Sequence, residues 1–308
     1  MTPASSDASF RRYFRVATGE GSLIVMDAPP EQEEIASFCR IARQFHAIGL
    51  NVPQILAEDD ALGFVLMTDL GTQQYLDVLD DHTVERLYGD ALAALVTLQK
   101  GTCQKPDFLP PYSRTMLTAE MDLFREWYLP RYLGHQTTAS QHALLDRAWD
   151  VLLDSALEQP QVWVHRDYHS RNLMLTDQNN PGILDFQDAV TGPVTYDLVS
   201  LLKDCYIAWP AAQVEAWVIG YHGLALQSGL VQEEDAQRFL RWFQRMGIQR
   251  HLKVAGIFTR LYHRDGKDGY LKDIPLTMRY LYQALEKDPE LAELHDFLAH
   301  LDKQPCMR

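Results

Sequence analysis

From Phe10 to about Leu70 the apolar residues come in short runs broken by polar turns. RRYFRVA and SLIVMDA have the composition of strands and flank TGEG, a turn composition. Between Glu31 and Ile48 the period changes. Ile35, Phe38, Ile41, Ala42, Phe45 and Ile48 recur at helical spacing, and Gly49 closes the run. NVPQIL and GFVLM then predict two more strands joined through EDDAL. Beyond TDLG the helical period dominates. Val84, Leu87, Tyr88, Ala91, Leu92 and Leu95 mark one amphipathic helix, and further helices are predicted over roughly 115–133, 139–158, 196–208, 211–227, 232–263 and 275–301. The exception lies between 162 and 187, where VWV, LML and GIL are short and strand-like. This pattern predicts an α+β chain with a small β-rich N-terminal lobe over 1–68, a hinge near Met67–Gly71 and a large helical lobe over 69–308.

Composition narrows the function. With 308 residues, 46% of them hydrophobic and 23% charged, the chain is long enough for two lobes around a sizeable core. Its net charge of −14 argues against nucleic acid and anionic lipid as partners, since both demand a basic footprint. The four cysteines, Cys39, Cys103, Cys205 and Cys306, form no CxxC pair and fit a reducing compartment. The N-terminus has no apolar core of a signal peptide, and no apolar run reaches the ~18 residues of a membrane span. A cytoplasmic protein with no obligate protein partner is expected.

The segment VWVHRDYHSRNLML sets a polar loop between two apolar runs, and ILDFQD follows it. A zinc pair of His165 and His169 is disfavoured, because four-residue spacing fixes geometry only on a helix and the flanks are strand-like. Phosphoryl transfer accounts for more of the residues. It asks for a carboxylate that orients the attacking hydroxyl and for oxygen ligands that hold Mg2+ on the phosphates of ATP. His165-Arg166-Asp167-x4-Asn172 has the spacing of a kinase catalytic loop, and Asp185-Phe186-Gln187 occupies the place of the metal-binding D-F-G. The two motifs in this order are a specific signal where either alone would be weak.

HRDYHSRN followed by ILDFQDAVTGPVTYDL resembles the aminoglycoside phosphotransferase-like kinases, relatives of protein kinases that act on small molecules. DASFRRYFRV, VMDAPPE, MTDLG, EMDLFREWYLPR and DFQDAVTGPVTYDLVSLLKDCY resemble the cell-wall amino-sugar kinases within that family. The resemblance runs from about Asp7 to Tyr206. It implies a two-lobed, protein-kinase-like fold and ATP-dependent transfer to the anomeric hydroxyl of N-acetylmuramic acid or N-acetylglucosamine, in the recycling of peptidoglycan sugars. It implies that Asp167 is the catalytic base and that Asn172 and Asp185 ligate Mg2+. His165 would buttress the loop, Asp197 would pin it, and Asp188 is either a partner of the metal site or a turn carboxylate. MTDLG would be the hinge meeting adenine, with Met67, Asp69 and Leu70 near the nucleotide; plain core packing for Met67 stays open.

Two departures stand out. No lysine precedes Lys100, so Met26 or Asp27 stands where protein kinases place their phosphate-binding lysine. One of Arg11, Arg12 and Arg15, with Arg12 and Arg15 assigned to the nucleotide and Arg12 first, or magnesium alone, is expected to balance the triphosphate charge, unless all three arginines are merely solvated. The glycine-rich loop is also missing, and SSDAS, with Ser9, is the only candidate phosphate cradle. The few residues before Phe10 predict no full first strand. For the acceptor, Glu120, Arg125, Trp127, Tyr128 and Arg131 on one predicted helix, with Arg171 in the catalytic loop, offer aromatic and charged contacts; core packing is an equal reading for Trp127. An aminoglycoside, choline or homoserine kinase and a non-catalytic pseudokinase remain open alternatives.

Overall fold

The computed structural model describes residues 2–6, 11–19, 21–232 and 236–302. The chain divides into two compact units. Residues up to Pro106 pack together with His165–Ala189, and Asp107–Val164 pack with the residues from Val190 onward.

The first unit holds an antiparallel sheet of β1 (Thr2–Ser6), β2 (Arg12–Thr18), β3 (Gly21–Asp27), β4 (Ile55–Asp59) and β5 (Phe64–Thr68), in the order β1-β2-β3-β5-β4. A first strand does form, against expectation: Thr2 to Ser6 pair with Arg15 to Arg12 across an irregularity between Pro3 and Ser5. Burial alternates along β5, with Val65 and Met67 buried and their neighbours less so. α1 (Ile35–Ala47) buries Ile35, Phe38, Ile41, Ala42 and Phe45, five of the six residues that carried its periodicity. Each such large side chain contributes roughly 1.5–3 kcal/mol when fully buried. Gly63 closes the β4–β5 turn at φ +73, and a Cβ there would lie 1.9 Å from Ala28 O, so no other residue fits. α2 (Tyr75–Val78) and α3 (Val84–Gln104) follow.

In the second unit β6 (Gln161–Val164) pairs antiparallel with β9 (Val190–Pro193), whereas β7 (Leu173–Met174) and β8 (Gly182–Ile183) form a hairpin in the first. The helices of the second unit are α4 (Arg114–Leu123), α5 (Ala139–Leu157), α6 (Tyr196–Leu202), α7 (Ala211–Gln227), α8 (Ala236–Asp265), α9 (Ile274–Leu285) and α10 (Ala292–Asp302). α8 packs against α4, α5, α6, α7 and α9. Two predicted helices are shorter than expected. The one beginning at 196 stops at Leu202, and just beyond it the Asp204 carboxylate accepts the Tyr206 N–H and turns the chain. The one over 275–301 breaks at Pro289, where Asp288 accepts the Glu290 N–H.

The helix predicted over 115–133 is not uniform either. After Leu123 it widens into a π-helix over Phe124–Tyr132, with Pro130 inside it. Its end shows the longer loop, Leu133 N donating to Tyr128 O at 3.1 Å. Gly256 of α8 lies directly against the junction: a Cβ there would stand 2.4 Å from Leu123 C and 2.6 Å from Phe124 N. Backbone cannot yield as a side chain does. Gly256→Ala is therefore expected to cost at least about 1–3 kcal/mol, seen as a lowered urea midpoint. Gly247→Ala, whose Cβ would make ordinary contacts with the flexible Lys203 side chain at 3.5 Å and Val199 Cγ1 at 3.9 Å, is expected to stabilise α8 by about 0.5–1 kcal/mol. Equal effects of the two would contradict this packing. No helix among the described residues is long and apolar enough to cross a membrane.

Candidate functional site

The loop after β6 is built around His165, which is 1% exposed. Its Nδ1 accepts the Asp167 N–H at 3.2 Å, which leaves Nε2 as the donor to Leu184 O at 2.9 Å. That tautomer is neutral and ties the Asp167 loop to the strand leading into Asp185. The ring also meets Tyr168 edge-on, and the Tyr168 hydroxyl donates to Ala91 O in α3 at 2.8 Å.

Asn172 is the second clamp. Its Nδ2 donates to Asp167 O at 3.0 Å and to Asp185 Oδ2 at 3.2 Å, while Leu184 N donates to Asn172 O at 2.9 Å. With the amide nitrogen so used, Asn172 Oδ1 is left as an acceptor oxygen beside the Asp185 carboxylate. Asp167, Asn172 and Asp185 are thus brought together, all half-buried. Arg166 and Asp185 both have left-handed backbone, at φ 77 and 63. Such a conformation costs a non-glycine residue of order 1–3 kcal/mol and persists only where the surroundings impose it.

The Asp185 side chain has a further partner two residues on. Gln187, in the position of the glycine of D-F-G, donates its Nε2 to Asp185 Oδ1 at 2.7 Å. The carboxylate is therefore held on both oxygens by amide N–H groups. Gln187 Oε1 is buried without a hydrogen-bond partner among the described residues. Phe186 is fully buried, stacked on Phe38 of α1 at 5.1 Å and tilted against Phe45 at 5.7 Å. Asp188 is exposed, and its backbone carbonyl accepts from Arg166 Nη1 at 3.3 Å.

Among the nucleotide-site candidates, Arg15 and Asp69 are committed to each other. Arg15 Nη2 reaches Asp69 Oδ1 at 2.9 Å and Gly71 O at 2.7 Å, while its Nε meets Asp69 Oδ2. Burial works to raise the Asp69 carboxyl, yet hydrogen bonds from Arg15, Ser22 and the Gly71 N–H hold it below its ordinary value. Together they lock β2 to the segment after β5. Arg11 binds Glu33 through both Nε and Nη2. Arg12 meets Asp27 through Nη2 alone, and its side chain is 65% exposed. Met26 and Met67 are buried in the sheet, and Leu70 Cδ1 packs over Gly182. Ser9 lies outside the described residues.

In the second unit the acceptor candidates separate. Glu120, 8% exposed, accepts from Tyr112 OH, from Gln249 Nε2 at 3.2 Å and from Lys253 Nζ at 3.1 Å. Lys253 donates onward to Tyr196 OH at 2.9 Å, so Glu120 anchors a buried network beneath the start of α6. Tyr128 is core, stacked between Phe124 at 4.7 Å and Tyr132 at 5.1 Å, so the widened helix brings these three rings into one row. Arg125 is held by Asp146 at 2.6 Å and covers the Trp149 ring. Trp127 is half-buried and Arg131 exposed. Asp197 is fully buried in the first turn of α6, with Thr195 at the N-cap position. Arg171 is half-buried in the catalytic loop.

The chain is 49% identical over 301 residues to the N-acetylmuramate/N-acetylglucosamine kinase of Pseudomonas aeruginosa, a match covering 98% of this chain and 88% of that protein. It is 44% identical over 306 residues to the protein of the same name from Neisseria meningitidis, covering 98% and 90%. In fold it is similar to choline kinase from Cryptosporidium parvum, with a TM-score of 0.65 at 11% identity over 97% of this chain and 92% of the other. It is also similar to ADP-bound aminoglycoside phosphotransferase APH(2'')-Ib, with a TM-score of 0.56 at 14% identity over 91% and 92%. Residues 1–230 match the phosphotransferase enzyme family, and the chain belongs to that family.

Proposed function

We propose that the chain is an ATP- and Mg2+-dependent kinase that phosphorylates the anomeric C1 hydroxyl of N-acetylmuramic acid and N-acetylglucosamine, in the cytoplasmic recycling of peptidoglycan sugars. Near-full-length similarity to kinases of that name supports the substrate class. The observation that carries the chemistry is the Asn172 side chain bridging Asp167 O and Asp185 Oδ2. One amide thereby fixes the base and the metal ligand relative to each other.

The residues fit a magnesium ion. Asn172 Oδ1 and the Asp185 carboxylate are two hard oxygen donors, as suits a cation that keeps waters and binds substrate phosphates. When bound, Mg2+ neutralises charge developing on the β- and γ-phosphates. Asp167 accepts the proton of the attacking hydroxyl while that oxygen bonds to the γ-phosphorus and the bond to the ADP oxygen breaks. Aspartate carboxylates are weak bases, and an anomeric hydroxyl is the most acidic on a sugar, so the pairing is chemically apt. Residues 1–68 would grip the nucleotide and 69–308 would carry the catalytic loop and acceptor. Trp127 and Arg171 remain candidate acceptor contacts, an arginine suiting the lactyl carboxylate of muramic acid. ATP consumption screened across amino sugars, kanamycin, choline and homoserine tests the substrate class. Activity confined to kanamycin or choline would overturn it.

Arg12 is the candidate that replaces the missing lysine, because Arg11 and Arg15 are held bidentately whereas Arg12 makes a single exposed contact. Arg12→Ala is expected to raise the KM for ATP roughly tenfold to hundredfold with little change in the KM for sugar, in line with a charge-assisted contact of about 1.5–3 kcal/mol. Unchanged ATP kinetics would remove Arg12 from the site.

A further inference from the structure

The helical unit contains a cavity of about 270 Å³ between the end of α6 and helices α7, α8 and α9. No part of the phosphoryl-transfer reading uses it. Trp209, Phe243 and Tyr280 give it aromatic walls, and three cations, Lys203, Arg279 and Lys287, line it. The Lys203 ammonium sits 5.1 Å over the Phe243 ring, and no carboxylate pairs with it among the described residues. Burial first, and the like charge of Lys287 second, push this amine down to about 8. A half-buried cation beside another cation is a standing cost unless something anionic visits it.

The remaining polar lining narrows the visitor. Glu215 and Glu286 also face the cavity, with the amides of Gln244 and Gln283. Carboxylates repel a second negative charge and accept hydrogen bonds, so they select hydroxyl donors on the rest of the ligand. Aromatic faces suit the apolar C–H face of a sugar ring. The volume lies just below the ~300–1,000 Å³ of ordinary small-molecule pockets, so a monosaccharide derivative fits where a nucleotide would not.

We propose that this cavity is a second small-molecule site that binds a monosaccharide phosphate, its phosphate between Lys203 and Lys287 and its ring against Trp209 and Phe243. The site is independent of the acceptor assigned above. Occupancy would register the supply of phosphorylated sugar at a place other than the catalytic loop.

The test is a titration of the full chain with glucose 6-phosphate, followed by tryptophan fluorescence and by calorimetry, with glucose and inorganic phosphate as separate arms. Saturable binding of glucose 6-phosphate is expected, with both fragments far weaker. Lys203→Met and Lys287→Met should each weaken it roughly tenfold to hundredfold, while turnover without added sugar phosphate stays at the wild-type value. Lys203→Met removes an unpaired charge, so it should fold at least as well as wild type; Lys287→Met, nearer the end of α9, gives a second reading. Binding unchanged in both variants, no binding at all, or inorganic phosphate binding as tightly as the sugar phosphate would each overturn the proposal.

Discussion

Asp167→Asn is expected to lower turnover by roughly 10²–10⁴-fold, the range for a positioned general base, while ATP–Mg2+ binds nearly as to wild type. The substitution keeps the side-chain shape. The loop depends on the backbone of residue 167, whose N–H goes to His165 Nδ1 and whose carbonyl accepts from Asn172. Neither bond involves the carboxylate. Steady-state kinetics and nucleotide calorimetry on one preparation separate the two effects. Ordinary turnover in this variant would refute the assignment of the base.

Asp185→Ala is expected to act earlier in the cycle. It removes the carboxylate oxygens that would hold Mg2+ and leaves Asn172 Nδ2 and Gln187 Nε2 without their shared acceptor. It also places alanine at φ 63, a left-handed conformation that aspartate tolerates better. Nucleotide affinity should lose its dependence on Mg2+, and kcat should fall by at least about 10²–10³-fold. A Mg2+ titration of nucleotide binding reads the first effect directly. Wild-type dependence on Mg2+ in Asp185→Ala would show that the metal is held elsewhere.

The features readable from sequence were those decided locally. α1 declared itself because one apolar stripe repeats at helical spacing, and the catalytic loop because its polar residues sit at fixed separations between strand runs. Contacts made across the fold left no such trace. Arg15 and Asp69 are 54 residues apart, and nothing near either announces that the guanidinium is already taken. Glu120 meets Lys253 only because α4 and α8 pack together. The π-helix is a tertiary outcome of the same kind. Phe124 to Tyr132 has an unremarkable helical composition apart from Pro130, and the close approach of Gly256 to Leu123 cannot be seen without the packed helices. Gln187 carries a partial signal, since an amide side chain stands where the D-F-G pattern has a glycine, but its bond to Asp185 is visible only in the folded loop.

The central claim is that Asp167 orients an anomeric hydroxyl, and the most direct measurement compares free N-acetylglucosamine with its 1-O-methyl glycoside as acceptors, following the product by phosphorus NMR. The free sugar should be phosphorylated, and its phosphorus signal should couple to the anomeric proton. The methyl glycoside keeps its C6 hydroxyl but has no free C1 hydroxyl, so it should be inert. Phosphorylation of the methyl glycoside would contradict the account.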